Sequence, residues 1–506
     1  PLSVAPVSPP TIVNVDGDAG AVPFDKEIFY IDLDGMVHGI DPDGTPLPGW
    51  PQASGPPVVG GAVAVGDLND DYRLEAVVGT ADGRVFAFDV DTGSLLPGYP
   101  VNVGGDLVYV TVAPVAPPYP ESIVAVREGR VLVLNRSGAV VESWDLPGFT
   151  SGPAAVGDLD EDDLPDIVVK LGLHIYRLQP GDPTPVFDIA PANGAYGIPV
   201  LADLDRDGPR EILARSSSGE VLVYEADGTF RWSFDTGTTG SLRPVVPANI
   251  LAGSQPELIV ATVNEIHMLD HLGNLYSGFP VTVADSTGWG GYVATPVANS
   301  AVGAVSDIIA GTSWNVGWIW DNFGNAVGDW PYDMGDYVNY SAAATDIDND
   351  ASLEIVMFTN SELWIMDMGN PPITNDQGRW EQWGGDPGHS FCFRNANFGL
   401  VSGVEDQEPA GLVAFSAPSP NPTTGGSRFM LELPSTAEVN VEVFDIRGRR
   451  VRTLADGSYP AGIHFVGFDG RDDVGRHVAD GTYFARLRVR GPGLTWGETR
   501  KLAVVR

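Results

Sequence analysis

"GDLNDDYRLEAVVGTADGRVFAFDVDTG", residues 66–93, opens on an acidic cluster and continues into two short apolar runs divided by an Asp-Gly turn. The second run, "RVFAFDV" at 84–90, alternates with the two-residue period of a strand. The first, "LEAVVGT" at 74–80, is rich in Val and also reads as a strand. Asp67, Asn69, Asp71 and Glu75 crowd together just where like charges repel. The arrangement then recurs. "GDLDEDDLPDIVVKLGLHIYRLQPG" begins at Gly157, "ADLDRDGPREILARSSSGEVLVYEADG" at Ala202 and "TDIDNDASLEIVMFTNSELWIMDMG" at Thr345. A looser copy starts at Asn14 and carries an insertion before Glu27. Copies from Val112, Val246 and Val297 keep the apolar pattern and lose the acidic cluster.

These eight repeats are spaced by roughly 44 to 53 residues, and each reads as four short strands. Four of them end on an aromatic-proline tag: "LPGWP" at 47–51, "LPGYP" at 96–100, "YSGFP" at 276–280 and "VGDWP" at 327–331. Four strands per unit of about 45 residues is the pattern of a β-propeller blade, whose two faces are buried only by neighbouring blades. The small residues of each first strand suit the crowded centre, and the aromatic tag suits the wider outer edge. The expected fold is all-β: an eight-bladed β-propeller over 1–400, a linker at 401–416, and a small Ig-like β-sandwich at 417–506. Seven blades remain open, because ring closure can merge the first and last repeats.

The chain has 506 residues, 43% of them hydrophobic, and a net charge of -39. A nucleic-acid backbone is excluded as a natural partner, since binding there needs clustered Lys and Arg. No apolar stretch reaches the 18 or so residues of a membrane-spanning helix. The charge is uneven: residues 1–410 hold 15 basic and 57 acidic side chains, and 411–506 hold 13 and 10. That break marks the domain boundary. Cys392 is the one cysteine, so neither an internal disulfide nor a cysteine metal site is available. It stands between two Phe and is expected to be buried and inert. The start, "PLSVAPVSPP", reads as a processed or trimmed terminus.

Spacing explains the acidic clusters. Oxygen-bearing residues occupy the first, third, fifth and ninth places in four loops: Asp67, Asn69, Asp71, Glu75; Asp158, Asp160, Asp162, Asp166; Asp203, Asp205, Asp207, Glu211; and Asp346, Asp348, Asp350, Glu354. Alternate residues of a tight loop turn toward one centre, and Ca2+ takes six to eight oxygen ligands. Four Ca2+ sites are expected. Asn14, Asp16 and Asp18 offer a fifth, with Glu27 as a displaced ligand. Solvated Asp turns are the plainer alternative. The ninth residue starts the second strand, so it ties loop to sheet. The role expected for the ion is to pin loops and cancel charge.

These motifs resemble the FG-GAP or VCBS repeats of integrin-type propellers over roughly residues 9–395. The resemblance implies a calcium loop between the first and second strands of a blade, on one face of the disc. "GRWEQWGGDPGHSFCF" at 378–393 resembles the segment that closes bacterial propellers of this kind. Further on, "PNP" at 420–422, "VEVFDIRGRRV" at 441–451, "AGIHFVGFDGRDDVGRHVADGTYFARL" at 461–487 and "KLAVVR" at 501–506 resemble FlgD-type Ig-like domains and the related sorting domains of type IX secretion. A plain structural spacer is the alternative. Either resemblance implies a bacterial protein that is extracellular or on the cell surface.

No HExxH, G-x-S-x-G, Walker loop or His cluster is present, so the sequence marks no catalytic residue. His174 and His267 lie in strand-like runs and are expected to pack. Aromatics recur where the chain enters the first strand of successive blades: Tyr109, Phe149, Tyr196, Trp289, Tyr292, Tyr337 and Tyr340. On a propeller these segments lie on the face opposite the calcium loops. They suit sugar stacking or a protein contact, or else packing between blades. The reading that follows is a binding or adhesion propeller for a glycan or surface protein. The alternatives are a polysaccharide lyase or hydrolase, and a self-associating subunit of a surface layer or filament.

Overall fold

The computed structural model describes residues 2–15, 26–68, 73–115, 121–162, 164–238, 243–251, 255–283, 297–299, 307–312, 315–348, 352–368, 389, 414–415, 423, 427–433, 436–447, 449–459, 462–474, 476–491 and 494–505. It divides into two compact units, 1–399 and 400–506. All regular elements among the described residues are strands.

In the first unit each repeat folds into its own antiparallel sheet, eight in all, with strand order following chain order. Seven sheets have four strands and the eighth has three among the described residues. Blade 2 is representative: Gly66 pairs with Glu75, Ala76 with Phe88, and Val85 with Val101. Second strands such as Glu75–Gly79 and Glu354–Phe358 are buried at every position. Both faces of a blade are covered by its neighbours, so the half-buried alternation of an open sheet disappears. The approach is close enough to need glycine at Gly79, where a Cβ would meet the Val108 carbonyl oxygen of blade 3 at 2.0 Å. A Cβ on Gly311 would likewise run into the Val338 side chain of blade 8.

Closure uses all eight repeats. Ile12, Ile28, Tyr30 and Ile40 of blade 1 share a buried cluster with Ala343, Ile347, Val356 and Phe358 of blade 8. The Tyr30 and Phe358 rings lie 4.8 Å apart, and the Lys26 N–H donates to the Ile347 carbonyl at 2.7 Å. The first repeat keeps its own four-stranded sheet, so the count is eight and not seven. Within 378–393 the structure describes His389, buried with Nε2 3.0 Å from both the Thr11 hydroxyl and the Val63 carbonyl.

Outer strands are joined by aromatic donors. Trp50 Nε1 donates to the Val90 carbonyl of blade 2 at 2.8 Å, and the Tyr99 hydroxyl to Asn135 of blade 3 at 2.9 Å. Trp144 reaches Asp182 of blade 4 at 2.8 Å, and Trp232 reaches His271 of blade 6 at 3.2 Å. Each ring fills the widening gap between blades while its polar tip satisfies a turn carbonyl. The aromatic–proline bond of all four tags is cis.

The second unit pairs a three-stranded sheet, Ala414–Phe415, Ser427–Leu433 and Gly462–Phe468, with a four-stranded one, Ala437–Asp445, Arg450–Tyr459, Gly481–Gly491 and Leu494–Val504. Val439, Val441, Val443, Ala485, Leu487 and Val489 alternate inward onto Phe429, Leu431 and Phe468. The Tyr483 hydroxyl ties back to the Ala479 carbonyl at 2.7 Å. The linker expected at 401–416 ends earlier than the sequence implied. Ala414 and Phe415 pair with Glu432 and Leu431, so they are an edge strand of the sandwich.

Candidate functional site

One carboxylate position organises the loops between first and second strands. Glu27, Glu75, Asp166, Glu211, Glu257, Asp307 and Glu354 each begin a second strand and are each buried; blade 3 has Ser122 there. Six of these carboxylates accept a backbone N–H from the second residue of their own loop: Val15 at 2.7 Å, Leu68 at 2.7 Å, Leu159 at 3.0 Å, Leu204 at 2.7 Å, Ile250 at 2.8 Å and Ile347 at 2.7 Å. Five of the donor residues, Leu68, Leu159, Leu204, Ile250 and Ile347, are themselves buried. An apolar side chain turned inward and a charge-assisted hydrogen bond therefore pin each loop to its sheet. Blade 6, whose copy lacks the acidic cluster, keeps this latch in Glu257, which also accepts from Leu251 at 3.1 Å. The ninth residue thus serves the fold in blades with and without the other acids.

In three blades further carboxylates converge on the latch. Asp158, Asp160 and Asp166 bring oxygens within 4.8 Å of one another, as do Asp203, Asp205 and Glu211, and Asp346, Asp348 and Glu354. The first, third and ninth places meet; the described fifth places, Asp162 and Asp207, are not in these groups. Asp162 instead accepts from Leu164 N–H at 2.8 Å and Gln179 at 2.9 Å, while Asp207 is exposed at the edge of its cluster, its backbone N–H donating to Asp205 Oδ1 at 3.3 Å. The fourth place, Glu161 and Arg206, takes a left-handed conformation with φ of 59° and 61°, which curls both loops in the same way. In blade 2, Asp67 and Glu75 are buried, while Asn69 and Asp71 lie outside the described residues, as do Asp16, Asp18 and Asp350. Asn14 sits at the head of the blade 1 loop, beside the donor Val15.

Among the described residues, two of the three clusters enclose an arginine. In blade 4, Arg177 puts Nε 2.7 Å from Asp166 Oδ1, and Nη2 3.0 Å from Asp166 Oδ2 and 2.6 Å from Asp160 Oδ2. In blade 5, Arg231 reaches Glu211 Oε1 at 2.5 Å and Asp205 Oδ2 at 2.6 Å. Arg210 adds a hydrogen bond to the Asp158 carbonyl. Burial pushes the Asp166 carboxyl above its ordinary value, with Arg177 and the Leu159 N–H pulling the other way. Burial likewise pushes Glu211 up to about 8 and raises Glu257. Neither arginine was marked by the loop motif, since each arrives from a later strand of its blade.

On the opposite rim the candidate aromatics divide. Tyr109, Tyr196 and Tyr340 are half-buried; Lys170 Nζ lies 5.9 Å from the Tyr196 ring, and burial raises the Tyr109 and Tyr340 hydroxyls. The dent beside Tyr109, lined by Gly79, Val108 and Pro153, has about 10 Å³, room for one water and not for a sugar ring. Tyr337 and Phe149 are exposed; Trp289 and Tyr292 lie outside the described residues, as does Cys392. His267 is buried, whereas His174 is half-exposed and meets Asp188 at 2.6 Å. Arg215, on the same rim, is fully buried with carbonyls of Ala261 and Gly219 at 3.3 and 3.4 Å; burial and neighbouring Arg243 draw it down to about 10.

No curated protein matches the chain by sequence. Among solved structures it is similar to Saccharomyces cerevisiae Sqt1, at 11% identity over 72% of this chain and 99% of that one, with a TM-score of 0.53. The C-terminal WD40 domain of Sif2 matches at 13% identity over 72% of this chain and 95% of that one, TM-score 0.48. BamB from Moraxella catarrhalis matches at 15% over 72% and 96%, TM-score 0.47. At these identities the likeness is one of fold, a β-propeller. Residues 418–490 match the FlgD Ig-like domain family, so an Ig-like module of that type follows the propeller in this chain.

Proposed function

We propose that this protein is an extracellular or cell-surface binding module of a bacterium, a calcium-stiffened propeller of the FG-GAP or VCBS type that holds a glycan or a surface protein on the rim opposite its acidic loops. One observation carries the reading. The segments entering the first strands of four blades each leave a large apolar side chain in solvent: Val59 at 65% exposure, Leu107 at 44%, Phe149 at 69% and Tyr337 at 47%. Apolar and aromatic surface amid polar loops suits sugar faces and protein contacts alike. Calcium is supported by the donor set of the blade 8 loop, where Asp346, Asp348 and Glu354 converge within 4.8 Å in a chain of net charge -39. In this reading the FlgD-type domain is a sorting or docking appendage.

The test is native affinity electrophoresis with calcium against acidic and neutral polysaccharides, comparing the protein with a Phe149→Ala/Tyr337→Ala variant. Retardation that the variant loses, at unchanged melting temperature, supports the glycan reading. Retardation equal in both moves the contact away from this rim. No retardation by any polymer leaves a protein partner or self-association, which crosslinking on intact cells and sedimentation then separate. Shortening of the polymer would make the protein an enzyme.

A further inference from the structure

The four acidic loops carry one motif, but their carboxylates do not have the same neighbours. We infer that the loops of blades 4 and 5 are closed by arginine and take no calcium, so that cation binding in this propeller is confined to loops without such an arginine. The inference rests on the calcium reading above for those remaining loops, and on its own geometry for the two closed ones.

In blade 4 the Arg177 guanidinium holds both oxygens of the ninth residue and one of the third, at 2.6 to 3.0 Å. Calcium needs those same oxygens at about 2.3–2.6 Å. It would also stand against a buried cation, where repulsion is screened far less than in water. The guanidinium is therefore a resident counter-ion: planar, always charged and matched to carboxylates in pairs. Arg231 does the same in blade 5, bridging Asp205 and Glu211, with Glu225 at 3.6 Å as a third acid. The two arginines come from different strands, the third of blade 4 and the fourth of blade 5. Two separate routes thus bring a cation to the same place in the loop. In blade 8 the ladder place of Arg177, opposite the second residue after the latch, is taken by Ile365, and in blade 2 by Ala87.

The experiment measures calcium per chain by mass spectrometry after dialysis against calcium, together with melting temperature in calcium and in EDTA. The full chain is compared with D160N, D205N, D348N, R177Q and R231Q. D160N and D205N are expected to leave the calcium count unchanged and to lower the melting temperature equally in calcium and in EDTA. R177Q and R231Q are each expected to gain one calcium, which restores part of the lost melting temperature. Loss of a calcium from D160N or D205N overturns the inference, and so does a failure of both arginine variants to gain one. R231Q and the two Asp variants carry the test if R177Q does not fold. The calcium reading fails separately, if the unaltered chain holds no calcium and D348N changes nothing; a gain in R177Q or R231Q would still uphold the arginine closure.

Discussion

Blades 4 and 8 present three acids at the same spacing, Asp158, Asp160 and Asp166 against Asp346, Asp348 and Glu354. Both latch the loop through the ninth carboxylate, to Leu159 and to Ile347. Besides Asp against Glu at the latch, they differ at a rung of the sheet where blade 4 has Arg177 opposite Val168 and blade 8 has Ile365 opposite Val356. An acidic loop is therefore not yet a metal site. In blades 4 and 5 what its charge does is settled by a later strand of the blade, which supplies the cation. Blade 6 extends the comparison: with Asn249 at the head of the loop and Glu257 at the latch, it keeps the hydrogen bonds without the rest of the cluster.

The largest effect is expected from removing the built-in cation. Arg177→Ala leaves the buried Asp166 beside Asp160 with the Leu159 N–H and no cation, and breaking such a pair costs about 3–5 kcal/mol. Equilibrium unfolding in urea measures it, and a loss under about 1 kcal/mol would mean the pair is solvated after all. Next comes the latch where no metal is invoked. Glu257→Ala strands the N–H groups of Ile250 and Leu251, at about 1–3 kcal/mol for a buried donor left unmet. A neutral result would move the pinning of the loop onto Ile250 alone.

Glu257 also sharpens the comparison through pH. Burial raises its carboxyl above the unfolded value, and its neighbours there are the two N–H groups and the Tyr276 hydroxyl at 3.3 Å. A group with a raised folded pKa contributes stability that is complete below its unfolded value and is lost as pH rises through the folded one. Glu257→Gln keeps an acceptor and has no charge to bury. Its melting temperature should gain on that of the unaltered chain as pH rises from 4.5 upward. Parallel curves for the two proteins would contradict this. A smaller shift is expected from Ile365→Arg, which carries the blade 4 arrangement into blade 8 and should shrink the difference between melting in calcium and in EDTA. Smallest of all, Tyr337→Ala should change stability by less than about 0.5 kcal/mol, since its side chain is exposed.

Much of the propeller was legible along the chain because each blade is a local unit. Strand periods, Asp-Gly turns and aromatic tags lie within 45 or so residues of each other, and repetition multiplies the signal. The ninth carboxylate was legible too, since Glu75 or Glu354 stands at the head of an apolar run. The tertiary structure decided three things that spacing does not contain. It closed the ring with all eight sheets, because Tyr30 and Phe358, at opposite ends of the propeller, have complementary surfaces only once the disc curves round. It turned Asp162 away from its cluster, because the Leu164 N–H and Gln179 compete for its oxygens, and it left Asp207 at the exposed edge of its own, hydrogen-bonded to Asp205. And it set Arg177 and Arg231 among the acids, eleven and twenty residues beyond Asp166 and Glu211, because antiparallel pairing brings a later strand back beside the loop that the chain has already left.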